Sequence, residues 1–206
     1  MNSATTLKKK QTILTELSNG DFDAFLYDCD GTLADNMEGH KASYRAAALM
    51  YGFELDDTII DELAGWPIIQ VAEEIRKKYG ASYNPEVFAQ LKNMLYEDTF
   101  IQETKPIDFV VAHLKAHAGR VRIGVVSGGS QVSVSRTLQQ LGITKLVEVL
   151  VCAGDTARGK PYPDPFLYAA KQLGVAPTRC LVFEDGNPGV QAAVAAGMQW
   201  IRIDHV

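Results

Sequence analysis

The sequence contains no run of 18 or more apolar residues, so no membrane span is expected. It has no basic stripe either. Twenty Lys and Arg against 25 Asp and Glu leave a net charge of −5, and Lys8-Lys9-Lys10 is the one basic run. That run lies in a short helical segment whose solvated face accounts for it, and nucleic acid is not an expected partner. No apolar stretch follows these basic residues, so the N-terminus does not read as a signal peptide. Cysteine is scarce as well. Cys29, Cys152 and Cys180 are widely spaced, in or beside apolar runs. This pattern excludes a disulfide frame or a zinc site and implies buried thiols in a reducing compartment, by default the cytoplasm. Internal repeats and low-complexity tracts are absent. What remains is an ordinary globular mixture of 206 residues, 47% hydrophobic and 22% charged, long enough for one domain or one with an insertion.

The chain is organised around Tyr27-Asp28-Cys29-Asp30-Gly31-Thr32-Leu33-Ala34-Asp35-Asn36. A strand-like run from Phe22 ends in two carboxylates one residue apart. On a strand, Asp28 and Asp30 start on the same face while Cys29 points away. Gly31-Thr32 breaks the strand and places the pair at its C-terminal end, where open α/β sheets bind ligands. Two like charges so close are costly unless a cation or a proton lies between them.

Taken in order, the pattern predicts a helix over Ala4–Ser18 and a strand over Phe22–Asp30. From Asp35 to about Lys105 no convincing strand follows. A first helix starts at Asp35, with Glu38 completing a capping-box-like pair. Met37, His40, Tyr44, Ala47, Ala48 and Tyr51 share its apolar face, and Gly52 closes it. Further helices are expected over Asp56–Leu63, Pro67–Tyr79 and Pro85–Phe100, the last with Asn84 as N-cap. After Lys105-Pro106 helices and strands alternate. Helices are expected over Ile107–His117 and Ser130–Leu141 and from Asp164-Pro165 and Asn187-Pro188, the last packing through Val190, Ala193, Val194 and Gly197. Strands are expected over Arg122–Ser127, Val149–Ala153, Cys180–Phe183 and Trp200–Ile203. Continuous apolar strands between amphipathic helices predict a doubly wound α/β parallel sheet covered on both faces. The expected division is a core of residues 1–34 and 106–206 with a helical cap, 35–105, inserted after the first strand and hanging over Asp28 and Asp30.

Four strand ends then meet on one edge of the sheet. They present Asp28 and Asp30, Ser127 before Gly128-Gly129, Gly159-Lys160-Pro161, and Glu184-Asp185. Taken singly, the later three are an ordinary turn, a loop lysine and charge near a helix N-terminus. Together they put acids, a lysine and a hydroxyl at one place.

These four stretches, in this order, resemble the four motifs of the haloacid dehalogenase superfamily over about residues 22–203. They read Asp28-Cys29-Asp30-Gly31-Thr32-Leu33, Val125-Val126-Ser127-Gly128-Gly129, Gly159 to Phe166 and Val182 to Gly189. The helical insertion resembles the β-phosphoglucomutase-like branch, and within it the small sugar-phosphate phosphatases of the fructose-1-phosphate type. The resemblance implies a Rossmann-like core and Mg²⁺-dependent hydrolysis of small sugar phosphates through an aspartyl-phosphate. It implies Asp28 as nucleophile and Asp30 as acid and base. Lys160 would neutralise Asp28 and the phosphoryl group, which Ser127 and backbone N–H groups such as that of Gly128 would bind. Mg²⁺ would be held by Asp28, the Asp30 backbone carbonyl and Asp185, with Glu184 close by.

In the cap, His40 is either a packed or a substrate-facing histidine. Lys92 corresponds to a lysine such caps direct at the sugar, or is a solvated helix lysine. The turn Leu63-Ala64-Gly65-Trp66-Pro67-Ile68-Ile69 lacks the arginine with which mutases of this branch hold a second phosphate, which favours a phosphatase over a mutase. A carbon–halogen hydrolase needs neither Asp30 nor Glu184-Asp185. A non-catalytic phospho-acceptor would want a long-lived aspartyl-phosphate, which Asp30 would shorten. The expected partner is a small phosphorylated sugar, and the expected state a monomer, with a dimer left open.

Overall fold

The computed structural model describes residues 3–63 and 66–206. Its centre is β1 (Ala24–Tyr27), four apolar residues buried on both sides. It pairs in parallel with β4 (Arg122–Val126) on one side and β6 (Cys180–Glu184) on the other. Outside these lie β5 (Val149–Val151) and β7 (Gln199–Arg202), giving the order β5-β4-β1-β6-β7 with every pair parallel. The two-residue period of the strands divides the core. Phe25 and Tyr27 face one way, with Ile123, Val125 and Phe183, beneath α1 (Ser3–Leu17), α6 (Asp108–His117) and α7 (Gln131–Gln140). Ala24 and Leu26 face the other way, with Val126 and Val182, beneath α8 (Asp164–Leu173) and α9 (Asn187–Ala195). This is the doubly wound sheet expected from the alternation of elements. The chain winds outward from β1 to β5, then crosses to β6, so the strand order reverses beside β1.

The insertion builds its own apolar cluster. α2 (Met37–Met50), α3 (Thr58–Glu62), α4 (Ile68–Tyr79) and α5 (Pro85–Leu95) bury Tyr44, Ala47, Ile60, Ile75 and Phe88 among themselves. At the two boundaries of the insertion lies strand that the sequence pattern did not indicate. Ala34–Asp35 (β2) and Lys105–Pro106 (β3) pair antiparallel where the chain leaves and re-enters the core. Two residues per strand are too few to show a period.

Other boundaries differ for identifiable reasons. β1 ends at Tyr27, because Cys29 to Ala34 form a turn of their own. Helix capping follows competition for side chains. Asn84 caps α5 by accepting the Val87 N–H at 3.0 Å, as expected. Asp164 and Asn187 open their helices as expected but as the first helical residues, and their side chains turn to other partners, Asp164 accepting from Arg158 and Asn187 from Arg202. On α9 the inward face is Gly189, Ala192 and Ala193, and Val194 points out. The three cysteines are free and buried, and none of the described helices is long and apolar enough to cross a membrane.

Candidate active site

The Asp28 N–H donates to the Phe183 carbonyl at 2.9 Å, so the sheet itself fixes this residue. Beyond it the Cys29 carbonyl accepts the N–H groups of Leu33 and Ala34, both at 2.9 Å, and Gly31 adopts φ +82°. Glycine takes that conformation without a steric cost. It is needed here for a second reason: a Cβ on Gly31 would stand 2.3 Å from Asp185 Oδ2. The turn is the seat of Asp185, whose Oδ1 accepts the Thr32 hydroxyl at 2.8 Å.

Lys160 ties three strand ends together. Its Nζ donates to Asp28 Oδ1 at 2.5 Å, to Glu184 Oε1 at 2.5 Å and to the Val126 carbonyl at 2.9 Å. All three ammonium hydrogens therefore have acceptors. Burial alone would lower its pKa, but Asp28 and Glu184 outweigh that and hold Lys160 firmly cationic. Ligand oxygens of Asp28, Glu184 and Asp185 lie within 4.8 Å of one another. Burial pushes the Asp28 carboxyl well up, and Glu184, Asp185 and Asp30 add to the shift against Lys160. Asp185 is pushed up to about 6, by burial and then by Glu184. Fully ionised, three carboxylates against one ammonium would carry two surplus negative charges in a buried, all-oxygen donor set, and the upward shifts of Asp28 and Asp185 express that repulsion. A hard divalent ion such as Mg²⁺ suits that set.

The Asp30 carboxylate is not part of this cluster. It turns towards α2, where its Oδ1 accepts the Asn36 amide at 2.6 Å and faces His40 Nε2 at 3.4 Å. Lys92 Nζ lies 2.7 Å from His40 Nδ1. A lysine ammonium can only donate, so Nδ1 is the acceptor and Nε2 carries the hydrogen facing Asp30. Burial, then Lys92, lower the pKa of His40, so the imidazole is neutral near pH 7. Burial opposes ionisation of Asp30, but His40, Asn36 and Lys92 outweigh it and hold the carboxyl below the ordinary carboxylate range. Lys92 itself is 3% exposed, between the rings of Tyr44 and Tyr96 at 5.1 Å each, and burial pulls it down to about 8. It is not a solvated helix lysine.

The Ser127 hydroxyl oxygen accepts the Gly129 N–H at 3.0 Å, which leaves its own hydrogen to donate. Gly128 is exposed beside it, and a Cβ there would meet nothing within 4 Å. An incoming oxyanion can therefore approach this backbone directly. Asp28, Lys160, Glu184 and Asp185 form one group, with Asp30, His40 and Lys92 a second group on the cap side. Trp66 and Ile69 are about half exposed, while Ala64 and Gly65 of the same turn lie outside the described residues.

Three site residues escaped the sequence reading: Thr32, Asn36 and Tyr96. Asn36 is the N-cap of α2, yet its side chain makes no cap bond, and the capping pair expected of Asp35 and Glu38 does not form. Its Nδ2 goes to Asp30 and, at 2.8 Å, to the Tyr96 hydroxyl. An N-cap bond is worth about 1 kcal/mol, whereas a bond to a charged acceptor contributes roughly 1.5–3 kcal/mol. The carboxylate wins. Tyr96 follows Lys92 by four residues, the spacing that puts both on one helix face.

Lys160 thus brings Asp28, Val126 and Glu184 together from three strand ends, and residues 25–203 match the model of the haloacid dehalogenase-like hydrolases. The chain belongs to that family. Among its relatives in the family, the fructose-1-phosphate phosphatase YqaB of Escherichia coli (strain K12) is 31% identical over 178 residues, covering 86% of this chain and 94% of its own length. A phosphorylated carbohydrates phosphatase of Thermotoga maritima is 26% identical, covering 87% of this chain and 83% of its own. The crystal structure of a β-phosphoglucomutase from Clostridium difficile is similar with a TM-score of 0.74 and 25% identity, over 88% of this chain and 84% of its own.

Proposed function

We propose that this chain is a Mg²⁺-dependent phosphatase of small sugar phosphates, of the hexose-phosphate type with fructose 1-phosphate as a candidate, working through an aspartyl-phosphate on Asp28. The observation that carries the reading is the contact of Lys160 with both Asp28 and Glu184 at 2.5 Å, beside Asp185, at the end of the central strand. The sugar-phosphate class is supported by the relatives named for fructose 1-phosphate and phosphorylated carbohydrates.

Phosphate monoesters are among the slowest-hydrolysing biological compounds, so a phosphatase has to supply up to ~10²¹-fold, about 29 kcal/mol. Acid–base help contributes only ~10²–10⁴-fold. Positioning, charge neutralisation and a covalent relay must account for most of the remainder. With Oδ1 held by Lys160, Asp28 Oδ2 attacks phosphorus. The bond to the sugar oxygen breaks, its electron pair stays on that oxygen, and Asp30 donates the proton it needs. In the second step Asp30 takes a proton from water as the water oxygen attacks phosphorus and the bond to Asp28 breaks. The Asn36 and His40 contacts, which favour an ionised Asp30, suit that second step. For the first step Asp30 carries the proton it took from water in the preceding turnover, and the phosphate dianion beside it favours that protonated form. Lys160 stays cationic throughout, Ser127 and the Gly128 backbone bind the phosphoryl oxygens, and His40 and Lys92 face the sugar side. Asp28, Asp185 and the Asp30 carbonyl would hold Mg²⁺, with Glu184 close by; the ion would neutralise the repulsion between carboxylate and phosphate.

In this reading residues 1–34 and 106–206 form the catalytic core and 35–105 the cap. We place the protein in the cytoplasm as a monomer, with a dimer left open. A mutase is disfavoured because no basic residue lies between Leu63 and Ile69 to hold a second phosphate. The test is phosphate release from para-nitrophenyl phosphate and from a panel of hexose phosphates. Wild type should turn over with Mg²⁺ and stop with EDTA, and Asp28→Asn should retain at most a trace. Metal-independent release, or an active Asp28→Asn variant, would overturn the reading.

A further inference from the structure

The helix that carries Lys92 does not end as an α-helix. Tyr96–Phe100 forms a five-residue π-helical turn, through which the apolar period of the sequence runs without a break. Such turns are rare and concentrate at functional sites. Tyr96, its first residue, is fully buried. Its ring stacks on the His40 imidazole, with centroids 3.9 Å apart and planes inclined by 16°. Its hydroxyl accepts from Asn36 Nδ2 at 2.8 Å and lies 3.2 Å from Thr104 Oγ1. The same Asn36 nitrogen donates to Asp30 Oδ1 at 2.6 Å.

Thr104 alone would satisfy the hydroxyl of a merely packed tyrosine. The state of Asn36 shows that more is built here. Its Oδ1 is buried without a hydrogen-bond partner in the protein, and the side chain forgoes the N-cap bond of α2. Turning the amide over would set its oxygen against the Asp30 carboxylate. Asp30 therefore decides which way the amide faces, and the Tyr96 hydroxyl, accepting from the same Nδ2, holds it there. Gly39 admits the ring so close to α2, since a Cβ there would stand 3.4 Å from Tyr96 Cε2 and 3.3 Å from Phe100 Cβ. One cap side chain thus touches both groups that face Asp30, Asn36 through its hydroxyl and His40 through its ring.

We propose that Tyr96 is a positioning residue for acid–base catalysis: it orients the Asn36 amide and the His40 imidazole, and through them aims the Asp30 carboxyl at the leaving oxygen. The inference rests on the reading of Asp30 as the acid and base.

Leaving groups separate this role from packing. A sugar alkoxide needs a proton to depart, whereas para-nitrophenolate leaves without one. With Tyr96→Phe, kcat/KM for the fastest hexose phosphate should fall at least tenfold further than kcat/KM for para-nitrophenyl phosphate. Asn36→Ala should show the same asymmetry without altering Tyr96 itself. The double variant should be no worse than the more impaired single one, because the hydroxyl acts through Asn36. Equal losses on both substrates, no loss on the sugar phosphate, or losses that multiply in the double variant would each overturn the proposal. If Tyr96→Phe does not fold, the asymmetry in Asn36→Ala decides. Wild type assayed first on both substrates separates the two claims, since a wild type without Mg²⁺-dependent release defeats the phosphatase reading itself.

Discussion

Glu184 lies directly against the bare backbone of Gly189: a Cβ on that glycine would stand 1.7 Å from Glu184 Oε1 and 1.9 Å from its Cδ. Glu184 cannot swing away freely, because Oε1 accepts from Lys160 and Oε2 accepts the Gly186 N–H at 2.9 Å. Gly→Ala within a helix would ordinarily stabilise by about 1 kcal/mol. Here the overlap costs about 1–3 kcal/mol, so the clash wins. Gly189→Ala should unfold at a lower temperature than wild type. It should also lose about 10²-fold in kcat/KM, the usual effect of a misplacement near 1 Å. Thermal denaturation and steady-state kinetics check both. A more stable, fully active variant would show that Glu184 is not held in this way.

Metal binding should be visible without turnover. A ligand that binds only the folded state stabilises it, by about 2.7 kcal/mol at a hundred times its Kd. Mg²⁺ should therefore raise the Tm of wild type, and Asp185→Asn should abolish most of that rise. The repulsion among these buried carboxyl groups also predicts that the metal-free variant is at least as stable as metal-free wild type, since one acidic group is gone. A Tm that ignores Mg²⁺, or an undiminished shift in Asp185→Asn, would remove this cluster as the ion's site.

Far from the site, His113 is buried with Nδ1 2.9 Å from the Tyr27 hydroxyl and Nε2 2.8 Å from the Ser18 hydroxyl. Burial, then the neighbouring His117, push its pKa down from 6.5 to about 3. The folded state therefore binds fewer protons than the unfolded state between those values. The contribution of His113 is fully present above about pH 6.5 and declines as pH falls towards 3, with a limiting slope of about 1.36 kcal/mol per unit. Chemical denaturation from pH 7 to 4 should show a smaller loss in His113→Gln than in wild type. Parallel curves would mean that His113 does not titrate on unfolding.

Much of this was legible in the sequence because it depends on neighbours in the chain. The alternation of buried strands with amphipathic helices points to the parallel sheet, and local pattern alone puts Asp28, Ser127 and Glu184-Asp185 at strand ends and Lys160 in the loop that follows β5. What escaped depends on distant partners. Asn36 serves Asp30 and Tyr96 rather than its own helix, and Tyr96 lies 60 residues away across the cap. The pattern places Asp164 and Asn187 at helix starts, but not the arginines, Arg158 and Arg202, that their side chains meet there. On α9, Gly189 turns inward because Glu184 needs its missing side chain, which rotates Val194 outward. The period of the helix carries no sign of either.

The central claim is that the phosphoryl group passes through Asp28. Wild type mixed with Mg²⁺ and its fastest hexose phosphate, quenched in acid within one turnover and reduced with borohydride, should yield homoserine at position 28, because hydride reduces an acyl phosphate and leaves a free carboxylate intact. Peptide mass spectrometry that finds an unmodified Asp28 in samples where sugar has already been released, or homoserine at another aspartate, would contradict the account.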